Sequence, residues 1–553
     1  MYTIKNKISA LLVLLVLFMF SCHKLKDMNI NPNGVDPATA DPNLLMATVI
    51  TSTGLNVVNL GFGDIAGVMQ HTQLDGWSSG HNDYNWTNND WSGYYSILNT
   101  DQQMILKAES SKLDFTTAVG LIFKAYNFGY IADLWGDAPY SQALLGTQGS
   151  THLLPAFDTQ QAIYAGILAT LDSANTLLSK DPGSYATNPT QDVLYGGNVT
   201  QWRKFANSLA LRYYLRISEK EPSIARAGFE KIAGNPDKYP LTLNASDDAS
   251  FAYIGNNSGT AWPSNLSFTT DSTNFTRIQM CQTLVGAMVP LSDPRLGVWA
   301  AKVRIPLQLD PNQSPTYDQV VNGVEVIGSQ VAANYSTKYF NTPLNYDQNY
   351  VGIPPSWAAF PQLYNLAAVA DQGVANPHVS QLNNIYAQPS GPLLKARLLS
   401  AAEVQFGLAE AAFKGWSVGG TAAGYYNAGI KASFDTWGLS SSFATYITNP
   451  GVPFNGTLSQ IMEQKWIASW TAAAEAWFDY RRTGLPAFVA GPNATRPALP
   501  LRFIYGLNEL QYNAVNTNNA ITNTLVQSPY TSSDGNNSAW SKTWLLQGTN
   551  MPY

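Results

Sequence analysis

The stretch VGLIFKAYNFGY, residues 119–130, sets Val119, Ile122, Phe123, Tyr126 and Tyr130 three or four positions apart. That spacing returns apolar side chains to one face of a helix, whereas a strand would need alternation. The preceding segment repeats it with Trp91, Tyr94, Tyr95 and Leu98, so the two read as an antiparallel helix pair. Working outward, Asp158 is predicted to cap a third helix while Gln161 reaches back, with Tyr164, Ile167, Leu168, Leu171 and Leu178 as the apolar face. Trp202, Phe205, Ala206, Leu209 and Tyr213 mark a fourth. Toward the C-terminus, Ser400 and Glu403 form a capping-box signature before Val404, Leu408 and Ala411. Another helix follows Gly419-Gly420, with Ala423, Tyr426, Ile430, Phe434 and Trp437 along one side, and Thr457 and Gln460 open the next, carrying Met462, Trp466 and Trp470. Paired amphipathic helices with interlocked aromatic and small residues suit tetratricopeptide-type hairpins, because one hairpin cannot bury its apolar face alone. No strict repeat consensus is visible, so the repeats are degenerate. Between about residues 234 and 394 the composition shifts to Asn, Gly, Pro, Ser and Tyr, as in Asn256-Asn257-Ser258-Gly259 and Gly352-Ile353-Pro354-Pro355. Such clusters favour turns. The expected fold is therefore mainly α: a scaffold of degenerate helical hairpins with long irregular loops and small β elements laid over it.

The N-terminus reads differently. Lys5 and Lys7 precede an apolar run from Ile8 to Phe20, closed by Ser21-Cys22. A cationic start, a short apolar core and a small residue at the cut site make a secretory signal. The run is shorter than the roughly 20 residues a membrane-spanning helix needs. A cysteine directly after a small residue points to lipoprotein processing, with Cys22 as the lipidated first residue. The expected organisation is a signal peptide over 1–21, a lipid-anchored tether over 22–34 and one globular domain over 35–553. Several acyl chains on Cys22 would hold that domain at a membrane. Cys281, the other of two cysteines, then has no partner, and the protein leans on its hydrophobic core instead of disulfides.

Charged residues are 12% of the chain, about half the roughly 25% of ordinary soluble proteins, and the net charge is −6 without basic blocks. Nucleic acid and electrostatic membrane binding are disfavoured. Five histidines, at 23, 71, 81, 152 and 378, offer no pair with metal-ligand spacing, so no metal and no cofactor are expected. The stretch Asp83 to Asp90 lacks the glycine and the terminal glutamate of a calcium loop. No phosphate-binding loop or nucleophile elbow is present, and no residue is singled out as catalytic. Sugar binding asks for flat aromatic faces and for amides or hydroxyls around them. Asp75-Gly76-Trp77 through Trp86 gathers both, and Trp262 sits among glycine, serine and asparagine in Asn257 to Asn265. Trp77, Tyr84, Trp86 and Trp262 are thus candidate glycan-stacking residues. A second reading stands beside the first, in which the same rings plug the core.

Several separated segments resemble one family. They include Ile131-Ala132-Asp133-Leu134-Trp135-Gly136-Asp137-Ala138-Pro139-Tyr140, then Trp202 through Leu209 with Arg212 and Arg216, and then Asp293-Pro294-Arg295-Leu296. Gln464-Lys465-Trp466 followed by Glu475 through Pro486 is the most specific, and Leu499-Pro500-Leu501-Arg502-Phe503 with Glu509 and Asn513 closes the series. On these motifs the chain resembles the SusD-like (SusD/RagB) outer-membrane lipoproteins over nearly all of its mature length. Read physically, Gly136 and Pro139 end a helix, Asp137 caps the turn, and Arg481 and Arg482 pair with Glu475 and Asp479. The resemblance implies a non-enzymatic nutrient-binding lipoprotein of the cell surface that captures an oligosaccharide and passes it to a TonB-dependent, SusC-like barrel. A peptide-binding lid on the same transporter and a lipid-anchored glycoside hydrolase are the alternatives.

Overall fold

The computed structural model describes residues 41–74, 80–87, 89–268, 273–338, 341–356, 364–365 and 376–553. The expected export segment, Cys22 and Trp77 lie outside these residues. The longer helices are α1 (Pro42–Gly61), α2 (Ser92–Ser110), α3 (Asp114–Trp135), α4 (Gln160–Leu177), α5 (Val199–Arg216) and α6 (Pro222–Ala233). After the loop-rich region come α7 (Ala401–Phe413), α8 (Ala422–Thr436), α9 (Leu458–Ala468) and α10 (Ala473–Thr483). Consecutive helices pack on each other as hairpins: α2 on α3, α3 on α4, α4 on α5, and α7 on α8. The predicted helical scaffold is what forms.

Local chemistry sets where the helices begin. Asp41, Asn198, Ser400, Thr421 and Thr457 each accept a first-turn amide, satisfying donors the helix cannot use itself. The start of α4 departs from the sequence reading. Thr159, not Asp158, accepts the Ala162 amide (3.2 Å). Asp158 turns back instead and accepts the Tyr140 and Ser141 amides (3.0 and 2.7 Å), while Asp137 accepts the Gln160 amide (2.8 Å). The carboxylates thus tie the end of α3 to the start of α4. That exit is sharp because Gly136 has φ +96°, a conformation side-chain-bearing residues rarely adopt.

Three small sheets sit over the helices. β1 (Thr72–Leu74) pairs antiparallel with β3 (Ile278–Met280) and β2 (Ala249–Ala252) antiparallel with β7 (Lys395–Leu399). β4 (Leu307–Leu309) runs parallel to β6 (Val324–Ile327), which pairs antiparallel with β5 (Asp318–Val321). The β2/β7 ribbon brings the two ends of the loop-rich region together, and β7 lies against α1.

The core is aromatic and, unusually, charged. Trp135, Trp202, Trp262, Trp299, Trp470 and Trp477 are fully buried. Arg216 donates to Asp133 (3.1 Å) and Glu475 (2.8 Å), and Arg212 clasps Glu403 with two bonds (2.6 and 2.7 Å). Lys465 pairs with Asp479 (2.7 Å), which Arg482 also reaches (2.9 Å) on its way to Glu410. These cations hold the Asp479 carboxyl far below its usual range. Arg481 donates to the Asp133 and Leu501 carbonyls (both 2.7 Å) and lies 4.2 Å over the Trp477 ring. The family-like motifs therefore meet in one buried network joining α3, α5, α7, α9 and α10. The expected pairing of Arg482 with Asp479 is present, but Glu475 is held by Arg212 and Arg216 from α5.

Candidate ligand-binding hollow

Both aromatic loops singled out in the sequence border one hollow of about 210 Å³. His81 of the first loop and Leu74 just before it line the hollow, and so do Pro263 and Ser264, which follow Trp262 in the second. Val58, Asn59, Phe62 and Gly63 from the end of α1 form a further wall, with Asp64, Arg277 and Ile278 completing it. The β1/β3 register, with Leu74 opposite Ile278, is what carries Arg277 beside the first loop.

The loop is staked at its base. Asn82 clamps Leu74 from both sides, accepting its amide (2.9 Å) and donating to its carbonyl (2.7 Å). Asp83 accepts the Gly80 and Asn85 amides (2.7 and 2.9 Å), and Gln73 accepts the Ser356 amide (2.9 Å). Gly67 permits the seating, since a Cβ there would lie 2.2 Å from the His81 carbonyl oxygen. His81 is buried, 4.0 Å from Asp64 and 3.2 Å from the Thr72 hydroxyl. Burial pushes its imidazole down to about 4, opposed by a bond to the Thr72 backbone and helped by Arg277, so it is neutral at pH 7. Asp64 moves the other way, to about 6, through crowding by neighbouring chain and the charge of Asp83. The hollow is thus lined by the Asp64 carboxylate, the Asn59 amide and Arg277 around an apolar floor at Phe62.

Three of the four candidate rings are buried instead of open for stacking. Tyr84 and Trp262 are 0% exposed and Trp86 is 6%. Trp86 donates to the Gly80 carbonyl (3.1 Å) and meets Trp477 and Phe503 edge to face, at 5.2 and 5.0 Å. Trp262 packs edge-on against Phe62 (5.3 Å) and Tyr253 (5.2 Å). None of these three offers a free face, because each ring gains more contact inside the aromatic core than it would at the surface. Trp262 alone of the three packs on a ring that lines the hollow, Phe62. Trp77 lies outside the described residues. Asp64 and Arg277 escaped the sequence reading because they belong to no periodic pattern and meet only through β1/β3 pairing. His81 was visible only as one of five scattered histidines. Among the described residues no group of three potential metal ligands comes together.

A family model described as "Starch-binding associating with outer membrane" matches residues 37–506. The chain belongs to the SusD-like family. Its fold is shared with a SusD homologue from Bacteroides fragilis at 24% identity, covering 92% of this chain and 99% of that one, with a TM-score of 0.68. A SusD homologue from Bacteroides uniformis superposes over 92% of this chain and all of its own (100%) at 21% identity and a TM-score of 0.69. A chitin-binding SusD homologue from Flavobacterium johnsoniae does so over 91% and 99%, at 22% identity and a TM-score of 0.64. No curated protein matches the chain. The SusD-like motifs of this chain build the charged core and the α3 exit, whereas the hollow is made of residues outside them.

Proposed function

We propose that this SusD-like protein is a non-enzymatic glycan-binding lipoprotein, anchored through Cys22 in the outer membrane and facing the cell exterior. It captures an oligosaccharide and delivers it to a SusC-like, TonB-dependent barrel. The observation that carries the reading is membership of a starch-binding, outer-membrane-associated family over residues 37–506. The hollow beside the first aromatic loop suits it chemically, with an apolar floor for the C–H face of a sugar and polar groups around the rim. Trp77, on the same loop, is proposed as the stacking ring. Moderate affinity would serve handover better than tight binding, since a ligand held equally in all states is never released.

Calorimetry on the purified protein with a panel of neutral oligosaccharides and oligopeptides tests this. Oligosaccharide binding is expected, weakened about tenfold or more by Trp77→Ala or Asp64→Ala, in line with the loss of one good stacking or charged contact. Binding of peptides alone would overturn the glycan reading, and release of reducing ends from a polysaccharide would overturn the non-enzymatic one. Cys22→Ala should free the protein from membranes.

A further inference from the structure

Strand β7 places Lys395 and Arg397 two residues apart, hence on one face, and the β2 register sets Ser250 opposite Arg397. These three line a second hollow of about 250 Å³ together with Ser246, Asp248 and Asp435. A run of rings lies between it and the first, since Arg397 stacks 4.3 Å over Trp437, which leads through Trp299 and Trp470 to Phe62.

Asp248 acts electrostatically on both cations across the hollow but makes a direct ion pair with neither. Among the described residues, Lys395 and Arg397 form no ion pair and the Lys395 ammonium no hydrogen bond. Arg397 is 7% exposed, donates only to the Lys395 and Leu393 carbonyls (3.3 and 2.9 Å), and keeps a buried Nε with no acceptor. Asp248 supplies negative charge but no acceptor, and a buried guanidinium N–H without an acceptor is costly. The opposite wall carries acceptors. Asp248 accepts from the Ala401 amide (2.7 Å) and the Thr436 hydroxyl (3.0 Å), and Asp435 uses one oxygen for Lys431 (2.6 Å) while the other has no donor.

We propose that this hollow binds an acidic sugar residue of the hexuronate class, its carboxylate toward Lys395 and Arg397 and its hydroxyls toward the Asp248 and Asp435 wall. A neutral hexose would leave the two cations with Asp248 across the hollow but with no directly paired anion. A bare inorganic anion would bring no donors for the carboxylates. A ring bearing both an oxyanion and hydroxyls serves both walls, and a volume just below the roughly 300 Å³ of small ligand sites admits one such unit. The site goes beyond the neutral-glycan hollow and does not depend on it.

Saturation-transfer NMR and calorimetry on the detergent-solubilised full chain, with sodium glucuronate, glucose and sodium sulfate as probes, test the assignment. Glucuronate should bind about tenfold or more tighter than either of the others, as expected for one charge-assisted contact in a partly buried site. Lys395→Met, at the half-buried rim, should remove that preference, and Lys395→Arg should keep it, with melting temperature checked for both. Asp64→Ala in the first hollow should leave glucuronate binding unchanged, which separates this site from the one under Proposed function. Glucuronate binding no tighter than glucose, sulfate binding as tightly as glucuronate, or a Lys395→Met variant that keeps the preference would each overturn the proposal.

Discussion

Asp101 illustrates how one side chain can set a pH dependence. It is fully buried between α2 and α3, and neither carboxyl oxygen has a hydrogen-bond partner. Burial raises its pKa well above the ordinary carboxylate value, opposed by the charge of Lys124. The folded state therefore keeps a proton that the unfolded chain releases above about pH 4. Stability from this group is complete below that pH and is lost as pH rises toward the folded value. Asp101→Asn should raise the denaturation midpoint at pH 8 by an equivalent of about 1–3 kcal/mol and leave it unchanged at pH 4, read as variant minus wild type. His71 and His81 act in the acid range. Burial pushes both down to about 4, so the unfolded chain takes up protons that the folded one refuses as pH falls below about 6.5. Each should cost up to about 1.4 kcal/mol per pH unit between about 6.5 and 4. Urea midpoints at pH 7 and pH 5 will show a loss, and His71→Gln should make that loss smaller by one proton's worth.

At the level of the helix, the sequence was most readable where the physics is local. The 3–4 spacing around Tyr126 and Trp202 found α3 and α5 because burial of one face follows directly from it. Caps at Ser400 and Thr457 were legible for the same reason, each needing only a hydroxyl three residues ahead of an amide. What failed was any step that required knowing a distant partner. Glu403 was expected to reach back to its own cap and instead holds Arg212 of α5 (2.6 Å). Asp158 surrendered the capping role to Thr159 because its carboxylate is engaged by the Tyr140–Ser141 turn. Ser400→Ala should cost about 1 kcal/mol, the usual value of a cap. Arg216→Met should cost about 3–5 kcal/mol, because Asp133 and Glu475 then stay buried without their closest cation. Chemical denaturation of the two variants side by side distinguishes the magnitudes.

Across the whole molecule, composition separated scaffold from covering, but composition could not say which aromatic loops face outward. Tyr84, Trp86 and Trp262 lie in polar, glycine-rich stretches yet end inside, since a ring's burial depends on what the other helices present to it. The hollow those loops border was invisible as a set of residues and legible only as a pair of loops. The Cys281 thiol is buried, and burial pushes it up to about 12, where it stays protonated and unreactive. The joined charges at the centre bear on how this array comes apart. Stacked helical pairs in general can peel from one end, each unit leaving its neighbours intact. Here, lifting away any of the five contributing helices would strand an arginine or a carboxylate in oil, so partial fraying has no cheap intermediate. Limited proteolysis of residues 41–553 should accordingly leave either intact scaffold or small peptides, with no long-lived hairpin-sized fragments on a gel.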